Sequence, residues 1–261
     1  IGWCDWSSDV CSSDLLSSGY RVNTAADDAA GLAISESMKS QVRSYTVAER
    51  NAADGVSMAQ TAEGALGEVH EVLGRMRELA MQSSNGSLGS SDRDYLNQEF
   101  SSLQGEISRI QASTKFNGND LISSTTAAAV TFQVGLNSNA NDQVSVSFNG
   151  LNLSTVTGTA TTVAGTNSGN ALAALSTIDT AIATVSGARA GFGAAINKLG
   201  VASNNIQTMR LNISSANSRI RDVDVATETS NMSRNQVLTQ AGISVLAQAN
   251  KLPQLAFGLL G

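Results

Sequence analysis

Aromatic residues and prolines are scarce in this chain of 261 residues. Phe, Tyr and Trp together make up 4% of the sequence, and there is 1 proline. Such a composition buries a long, thin seam of Ala, Leu, Ile and Val more easily than a thick globular core. We therefore expect a narrow core.

Positive charge is also in short supply. Lys and Arg number 16 against 22 Asp and Glu, which gives a formal net charge of −6. This balance argues against nucleic acid and anionic membrane surfaces as partners. No run approaches the roughly 18 apolar residues of a membrane-spanning helix, and no charged start with an apolar run marks a cleaved signal peptide. If the protein leaves the cell, we expect a route without such a signal.

Cysteine and histidine are almost absent. The 2 cysteines, Cys4 and Cys11, lie close to Trp3 and Trp6 at the start of the chain, and the 1 histidine is His70. The wide separation of His70 from the cysteines makes a poor zinc site. A reactive cysteine pair or a metal ligand set is the alternative interpretation.

The first residues have an unusual repeat. The run WSSD at 6–9 is echoed by CSSD at 11–14, which resembles translated sequencing-adapter read-through joined to a truncated gene. We interpret residues 1–15 as probable non-native sequence and leave them out of the fold prediction. The rest of the chain has no cysteine, which excludes a disulfide framework.

A heptad ladder near the C-terminus is the strongest positive signal. Its apolar residues follow one another at intervals of seven: Ile178, Val185, Phe192, Leu199, Ile206, Ile213 and Ile220. A strict seven-residue repeat keeps one seam of a long helix apolar only if that helix lies along a partner helix. The ladder predicts a rod of packed helices instead of a globule with a pocket.

Two further ladders supply the partner helices. The longer one steps by three, four or seven residues through Ile34, Met38, Tyr45, Ala52, Ala59, Ala62, Leu66, Val69, Leu73, Met76 and Ala80. A shorter one follows in Leu96, Phe100, Leu103, Ile107 and Ile110. Three amphipathic helices from distant parts of the chain therefore need each other's apolar faces.

Capping residues and helix breakers set the predicted helix bounds. The predicted helices run from after Asp27 to about Gln82, from about 92 to 113, from 171 to about 227, and from about 229 to 251 before Pro253. Asn23, Thr24 or Asp27 is expected to cap the first helix. Ser91 or Asp92 is expected to cap the second.

Composition changes abruptly in residues 122–170, where Asp142 is the one charged residue. Apolar residues alternate with polar ones at 130–134 and again at 144–148, which predicts a β-hairpin about an Asn-rich loop. Disorder and a half-buried β element remain alternatives for 151–170. The predicted fold is mainly α, an elongated coiled-coil-like bundle of long helices from both chain ends with a small β-hairpin-rich segment in the middle.

Five blocks of sequence carry a family resemblance. They are LSSGYRVNTAADDAAGLAISESM (16–38), RNAADGVSMAQTAEGAL (50–66), LGRMRELAMQSSNG (73–86), FNGNDL (116–121) and SRIRDVDVATETSNMSRNQVLTQAGISVLAQAN (218–250). Together they resemble bacterial flagellin, the subunit of the flagellar filament. The resemblance implies that paired terminal helices form the filament core while the middle segment faces outward.

The resemblance divides the chain into segments. Beyond the probable non-native residues 1–15, these are N-terminal core helices at 16–122, a short variable surface-exposed β segment at 123–170, a C-terminal core helix at 171–227, and an inner-core helix with a leucine-rich tail at 228–261. Flagellins normally begin with a further apolar helix ahead of the LSSG motif, and that helix is missing here. We therefore expect exposed apolar side chains on the C-terminal helix and poor polymerisation of this chain.

The first candidate site lies on the first helix and its neighbour. The resemblance assigns it five residues: Leu73, Arg75, Leu79, Gln82 and Glu99. Arg75, Leu79 and Gln82 share a helix face by i+4 and i+3 spacing, and Glu99 is expected alongside. In flagellins this patch contacts other filament subunits and the flagellin-sensing Toll-like receptor of the host. Leu73 also belongs to the buried ladder, and the alternative is a solvated face with pairs such as Arg75 with Glu71 or Glu78.

The second candidate site is the apolar C-terminal helix and tail. Its assigned residues are Val237, Leu238, Val245, Leu246, Leu255, Phe257, Leu259 and Leu260, and Ile243 and Leu252 are expected to be exposed with them. An exposed apolar tail invites capture by an export chaperone or a neighbouring subunit. In flagellins the corresponding tail is bound by a secretion chaperone. The alternative is a frayed chain end.

Enzymatic sites find little support. His70 has no recognisable Ser/His/Asp set around it. Asp27, Asp28, Asp222 and Asp224 lack the calcium-loop pattern, and helix capping explains them. No phosphate-cradling glycine motif follows a strand. We expect no enzyme, no cofactor and no metal.

The function implied by the resemblance is a structural subunit that self-assembles into the bacterial flagellar filament for swimming motility. Its implied partners are other subunits, a flagellar export chaperone with the type III export apparatus, filament cap and hook-associated proteins, and the host Toll-like receptor, with no nucleic acid and no membrane insertion. The implied location is the extracellular filament. The alternatives are a hook-filament junction protein and a chemoreceptor-like signalling coiled coil; the Asn/Thr/Gly-rich insertion at 122–170 disfavours the latter.

Overall fold

The fold is that of a computed structural model, which describes residues 15–122, 128–148, 151–158 and 160–258. It is 74% helical, which confirms the predicted mainly α class. The helices are α1 (Ala29–Ser83), α2 (Ser90–Ser113), α3 (Ser154–Thr157), α4 (Gly169–Arg221) and α5 (Val225–Gly258). The strands are β1 (Lys115–Phe116), β2 (Asn119–Asp120), β3 (Ala128–Gln133) and β4 (Gln143–Phe148).

The chain forms two compact units. The central unit consists of residues 44–208, and the terminal unit consists of the described residues of 1–43 and 209–261. The sequences of α1 and α4 each contribute to both units.

The central unit buries the three predicted ladders in one cluster. The α1 ladder from Ala52 to Ala80 and the α4 ladder from Ile178 to Ile206 are buried. Phe100 of α2 belongs to the same cluster and is 0% exposed. Apolar burial is worth roughly 25 cal/mol per Å², so this seam is the main source of stability in the unit.

Apolar cover is thinner in the terminal unit. Ile34 at the start of the α1 ladder is 48% exposed, and Ile213 and Ile220 of α4 are only half-buried. Among the described residues of this unit, the one buried apolar side chain is that of Val22, which lies ahead of α1 and is 1% exposed.

Helix α4 is also the one described helix that is long and apolar enough, by length and composition alone, to cross a membrane. Its ladder residues Val185, Phe192 and Leu199 are buried within the central unit. A core helix of this kind passes the same test, so the composition of α4 is accounted for by packing.

The predicted hairpin is present. Strands β3 and β4 pair antiparallel, with Val130 opposite Val146 and Phe132 opposite Val144. The 3₁₀ turn Ala140–Asp142 lies in the connection between the strands. The alternating pattern of apolar residues thus predicted both strands of the hairpin correctly.

The hairpin packs into the central core instead of facing wholly outward. The ring of Phe148 lies 5.4 Å from the ring of Phe192 on α4. A Cβ atom at Gly55 of α1 would lie 3.1 Å from the ring of Phe132. The absence of a side chain at Gly55 therefore lets the hairpin approach α1 closely.

The described residues 151–158 and 160–170 match neither alternative left open by the sequence. They contain the single turn α3, and Leu151, Leu153, Val156 and Val163 are buried. The segment is ordered without strand pairing because side chains of α2 bond its backbone.

Helix ends differ from the predictions where aspartates act as caps. The N–H of Gly31 donates to Asp28 Oδ1 at 2.8 Å, so Asp28 caps α1 instead of Asn23, Thr24 or Asp27. Helix α2 begins at Ser90 after Gly89, whose N–H donates to Asp92 Oδ2 at 3.0 Å.

The junction between the last two helices also lies earlier than expected. Helix α4 ends at Arg221 instead of about residue 227, and α5 starts at Val225 because Asp224 accepts the N–H of Ala226 at 3.1 Å. Helix α5 continues through Pro253 to Gly258. A proline removes one backbone donor, but its fixed φ is compatible with a helix.

Candidate contact surfaces

Arg75 links α1 to α2 on an exposed face. Its Nε donates to Glu99 Oε1 at 2.8 Å, and its Nη1 donates to Glu78 Oε2 at 2.9 Å. The side chains of Arg75, Glu99 and Glu78 are 50%, 46% and 69% exposed. The hydrogen bond from Arg75 to Glu99 raises the pKa of the Arg75 guanidinium most, and the hydrogen bond to Glu78 raises it further. The structure thus places Glu99 beside Arg75, as expected. It also contains the pairing of Arg75 with Glu78 that belonged to the alternative interpretation.

The two leucines assigned to this patch do not lie on its surface. Leu73 is 0% exposed and Leu79 is 1% exposed. Leu79 lies about 40° around the helix from Arg75, on the side toward the buried Met76. Because the i+4 step exceeds a full turn by about 40°, it rotates Leu79 into the core. We therefore correct the assignment and keep Arg75, Gln82 and Glu99 as the exposed members of the patch.

Gln82 lines a surface groove. The groove is lined by Gly74, Arg77, Glu78, Met81, Gln82, Asn85 and Leu88. Arg77 Nε donates to Asp179 Oδ1 of α4 at 2.7 Å, which ties one wall of the groove to that helix. Met81 is 52% exposed, and Tyr95 of α2 is 71% exposed. Arg, Met and Tyr are residue types enriched at protein interfaces.

Helix α5 exposes its apolar side chains as expected. Exposure is 62–67% for Val237, Leu238, Ile243, Val245 and Leu246. Val237 and Leu246 point about 180° apart around the helix axis. Leu252, Leu255 and Phe257 lie in the last turns, where the structure describes the helix but not these side chains, and Leu259 and Leu260 lie outside the described residues.

A buried arginine was missed by the sequence analysis. Arg93 on α2 is 3% exposed. Its Nε donates to the carbonyl of Ser83 at 2.9 Å, its Nη2 to that of Asn85 at 3.1 Å and its Nη1 to that of Gly165 at 3.4 Å. The guanidinium therefore holds the turn after α1 and the approach to α4.

A row of amide side chains on α2 was missed as well. Asn97, Gln104 and Gln111 recur at intervals of seven and face the segment 151–163. Gln104 Nε2 donates to the carbonyl of Val156 at 2.6 Å, and Gln111 Nε2 to that of Leu151 at 2.8 Å. Their heptad spacing was the available signal, but ladders of apolar residues alone were counted.

The aspartates considered as metal ligands have local partners. Asp27 Oδ2 accepts the N–H of Thr24 at 2.8 Å, and this bond, ahead of that from Asn23, lowers the Asp27 pKa. Asp224 accepts the hydroxyl of Thr227 at 2.9 Å, and this bond similarly lowers the Asp224 pKa. No group of three or more metal-binding side chains occurs within the described part of the chain.

Comparison with protein families gives two matches. The model of the bacterial flagellin N-terminal helical region matches residues 11–127, and that of the bacterial flagellin C-terminal helical region matches residues 175–260. The chain is 44% identical to a flagellin of Halalkalibacterium halodurans, over 95% of this chain and 90% of that protein. It is 39% identical to a flagellin of Bacillus subtilis, over 95% and 91%.

Solved structures share the same architecture. The crystal structure of Bacillus cereus flagellin aligns with a TM-score of 0.53 and 32% identity, covering 60% of this chain and 88% of that one. The structure of a putative flagellar hook-associated protein from Vibrio parahaemolyticus aligns with a TM-score of 0.61, covering 75% of this chain and 100% of that one. Its identity of 18% shows a common fold alone.

Proposed function

This chain belongs to the bacterial flagellin family and is a structural subunit of the flagellar filament, and we propose that it contacts its neighbours through helix α5 and through the patch of Arg75, Gln82 and Glu99. The family is structural, not enzymatic. The filament is an extracellular appendage. Swimming motility is the proposed use of that filament.

The exposure of apolar side chains on α5 carries the first half of this proposal. A helix that is apolar on several sides is stable when it is enclosed by other chains. Val237 and Leu246 lie on opposite sides of α5 and are 64% and 65% exposed in the single subunit. More than one other helix is therefore needed to cover both sides, and we propose that neighbouring copies supply at least one of them. Exposed apolar patches of this kind mark interaction sites.

A charge at Leu246 tests this contact. We expect Leu246→Asp to prevent incorporation onto sheared filament seeds, because the carboxylate would be buried without a partner. Both variants carry a flagellin-like helix restored ahead of Leu16, because this chain is expected to polymerise poorly. Leu246→Met is the matched control, since it keeps apolar volume and should incorporate as well as the restored parent chain. Sedimentation and electron microscopy measure incorporation. Normal filament growth by Leu246→Asp would contradict the proposed role of α5.

The Arg75 patch carries the second half of the proposal. Its charged groups are about half exposed, and Met81 and Tyr95 supply exposed apolar surface on the same two helices. Interface centres combine such side chains with arginine. We propose that this patch contacts other filament subunits and the host Toll-like receptor for flagellin.

Single substitutions in the patch test both partners together. We expect Arg75→Ala and Glu99→Ala each to weaken filament growth and receptor signalling while the subunit stays folded. Truncating one member of a charged contact commonly costs a few kcal/mol of binding. Arg109→Ala is the control, because Arg109 pairs with Glu106 on its own helix and is 65% exposed. A cell reporter with wild-type response to both patch variants would remove the receptor assignment.

Export is the last part of the proposal. We infer that the subunit leaves the cell without a cleaved signal peptide, through the flagellar type III apparatus and with a chaperone that covers the apolar C-terminal helix. Filament cap and hook-associated proteins are the further proposed partners. The exposed apolar side chains of α5 support the proposal of a chaperone, because such side chains favour nonspecific association until another protein covers them. Co-purification of the proposed chaperone with wild-type chain but not with Leu246→Asp would support this route.

A further inference from the structure

The turn between α1 and α2 borders the Arg75 patch. Gln82 belongs to the patch, and Asn85 and Leu88 of the turn line the groove beside it. The carbonyl of Gln82 accepts the N–H of Asn85 at 3.2 Å, and the carbonyl of Asn85 accepts the N–H of Leu88 at 3.3 Å. The conformation of this turn therefore determines where Gln82 and one side of the groove lie.

Arg93 of α2 bonds this turn from its buried side. It is 3% exposed, its Nε donates to the carbonyl of Ser83 at 2.9 Å, and its Nη2 donates to the carbonyl of Asn85 at 3.1 Å. The last carbonyls of a helix have no partner within that helix, and the last turn of α1 has no basic residue of its own. Arg93 therefore caps α1 from the neighbouring helix and supplies the positive charge that its carbonyl end favours.

The segment ahead of α4 is bonded at the same place. Arg93 Nη1 donates to the carbonyl of Gly165 at 3.4 Å, and Ser83 Oγ donates to the carbonyl of Val163 at 2.6 Å. Asn97 Oδ1 of α2 accepts the N–H of Val163 at 3.1 Å. One guanidinium thus joins the end of α1, the turn and the approach to α4, all within the central unit.

The buried bonds of Arg93 outweigh the bonds that the turn makes by itself. Residues 84–89, with the sequence SNGSLG, are exposed or half-buried, so their backbone bonds compete with water. A hydrogen bond from a charged donor is stronger than a neutral one, and buried surroundings strengthen it further. Arg93 is therefore the main determinant of the conformation of this turn.

We propose that Arg93 is a positioning residue of the Arg75 patch, because it fixes the turn after α1 and thereby holds Gln82 and the groove in the geometry that a partner contacts. This inference rests on the proposed function of the patch as a contact surface. Arg93 itself is too buried to touch the partner. A surface that is already held in its bound geometry loses little conformational freedom on binding, so removal of Arg93 should weaken binding.

Binding of the free subunit to the ectodomain of the flagellin-sensing Toll-like receptor tests this role. We expect Arg93→Met to weaken the affinity about tenfold, because the turn and Gln82 must then be ordered at the moment of binding. Arg93→Lys should give an intermediate affinity, since it keeps the charge but not the planar guanidinium that bonds several carbonyls. Wild-type affinity in both variants would overturn the positioning role.

Leu199→Ala is the control for a general loss of stability. Leu199 is 0% exposed, and its Cδ1 would lie 3.0 Å from a Cβ atom at Gly55. Gly55 precedes Arg75 by about 30 Å along α1, so the cavity lies far from the patch. The cavity should lower the unfolding midpoint about as much as Arg93→Met does, but we expect wild-type affinity. Equal weakening by Leu199→Ala and Arg93→Met would assign the loss to stability and overturn the proposal.

Hydrogen exchange read by NMR tests the geometry without a partner. The reporters are the amides of Asn85 and Leu88, which donate within the turn. We expect Arg93→Met to raise their exchange rates about tenfold and Leu199→Ala to leave them unchanged, because the opening is local to the turn. Unchanged exchange in Arg93→Met would overturn the role of Arg93 in fixing the turn.

The result for Arg75→Ala separates this inference from the proposed function. Weakened binding by Arg75→Ala with wild-type binding by Arg93→Met would overturn the positioning role and leave the patch in place. Wild-type binding by Arg75→Ala would remove the patch and its positioning with it, whereas the exchange rates would still report whether Arg93 fixes the turn. The two failures are therefore distinguishable.

Discussion

The central and terminal units are built from parts of the same two long helices, yet their apolar side chains are covered differently. In the central unit, Leu73 and Leu199 are 0% exposed. In the terminal unit, Val237 and Leu246 are 64% and 65% exposed. The apolar side chains of the central unit are thus covered within a single chain, whereas those of α5 are not. Under the proposed function, neighbouring copies cover α5, and exposure in the single chain is what distinguishes the two units.

A charge in the central seam should have the largest effect on the isolated subunit. Phe192 is 2% exposed and contacts the ring of Phe148, so Phe192→Asp buries an unpaired carboxylate and empties an aromatic site. We expect a loss of about 4 kcal/mol in the free energy of unfolding. Urea unfolding followed by circular dichroism measures it. Ala190→Asp, at an exposed position two residues away, should stay within about 0.5 kcal/mol of wild type.

Removal of the buried arginine should have the next largest effect. Arg93→Met leaves the carbonyls of Ser83 and Gly165 without their side-chain donor, whereas the carbonyl of Asn85 keeps the N–H of Leu88. We expect a loss of about 2–3 kcal/mol, because unsatisfied buried acceptors are costly. Arg109→Met, at a side chain that is 65% exposed, is the matched control. Equal unfolding midpoints for the two variants would show that the hydrogen bonds of the Arg93 guanidinium contribute nothing to stability.

The same kind of charge should be nearly silent in the terminal unit. Val245 is 67% exposed, so Val245→Asp remains solvated in the free subunit. We expect a change within about 0.5 kcal/mol in the free energy of unfolding, against about 4 for Phe192→Asp. Urea unfolding of Val245→Asp beside Phe192→Asp measures the contrast between the units. A large loss in Val245→Asp would mean that α5 is already packed in the subunit.

The smallest expected effect is a pH dependence of the backbone pairing between residues 19–22 and 220–223, where Tyr20 and Asp222 form an isolated antiparallel β-bridge. The guanidinium carbon of Arg221 lies 4.5 Å from the centre of the Tyr20 ring, and Arg221 Nη1 donates to Glu36 Oε1 at 2.8 Å. That hydrogen bond, followed by the charge of Lys39, lowers the pKa of Glu36. The ionised carboxylate therefore stabilises the pairing above the ordinary carboxyl pKa, and this contribution is lost as the pH falls through the lowered value. NMR shifts of the Tyr20 ring should follow that transition.

Glu36→Gln should remove this transition, with a small acid step left from Asp27 and Asp224 in the same unit, whose pKa values are also lowered. Glu106→Gln, in the central unit, should leave the Tyr20 shifts unchanged. An identical titration in wild type and Glu36→Gln would show that Glu36 does not stabilise this pairing.

The long helices and the hairpin strands could be predicted from periodicity. Heptad spacing located the buried seam through Ile178, Val185 and Phe192, and alternation located the two strands that contain Val130 and Val146. These patterns work because one face of each element is buried and its period is fixed. The exposure of residues at the ends of the ladders, such as Ile34 at 48%, could not be predicted, since it depends on which neighbouring segments are present.

The candidate site was harder to predict. The sequence placed Arg75 near Glu99, but it could not tell that Leu79, only about 40° away around the helix, turns into the core. Arg93 and Gln104 were missed because a buried polar residue looks like a surface residue until its acceptors are known. Their acceptors lie in segments without a repeating pattern, where periodicity carries no information.

Hydrogen exchange followed by mass spectrometry, in free subunits and in filaments, tests the contrast between the units most directly. We expect peptides from 59–80 and 178–206 to be protected in both states, because their cover comes from the same chain. Peptides from 237–249 should exchange rapidly in free subunits and become protected only in filaments, because an exposed helix is marginally stable until its apolar sides are covered. Strong protection of 237–249 in the free subunit, equal to that of 178–206, would contradict the account.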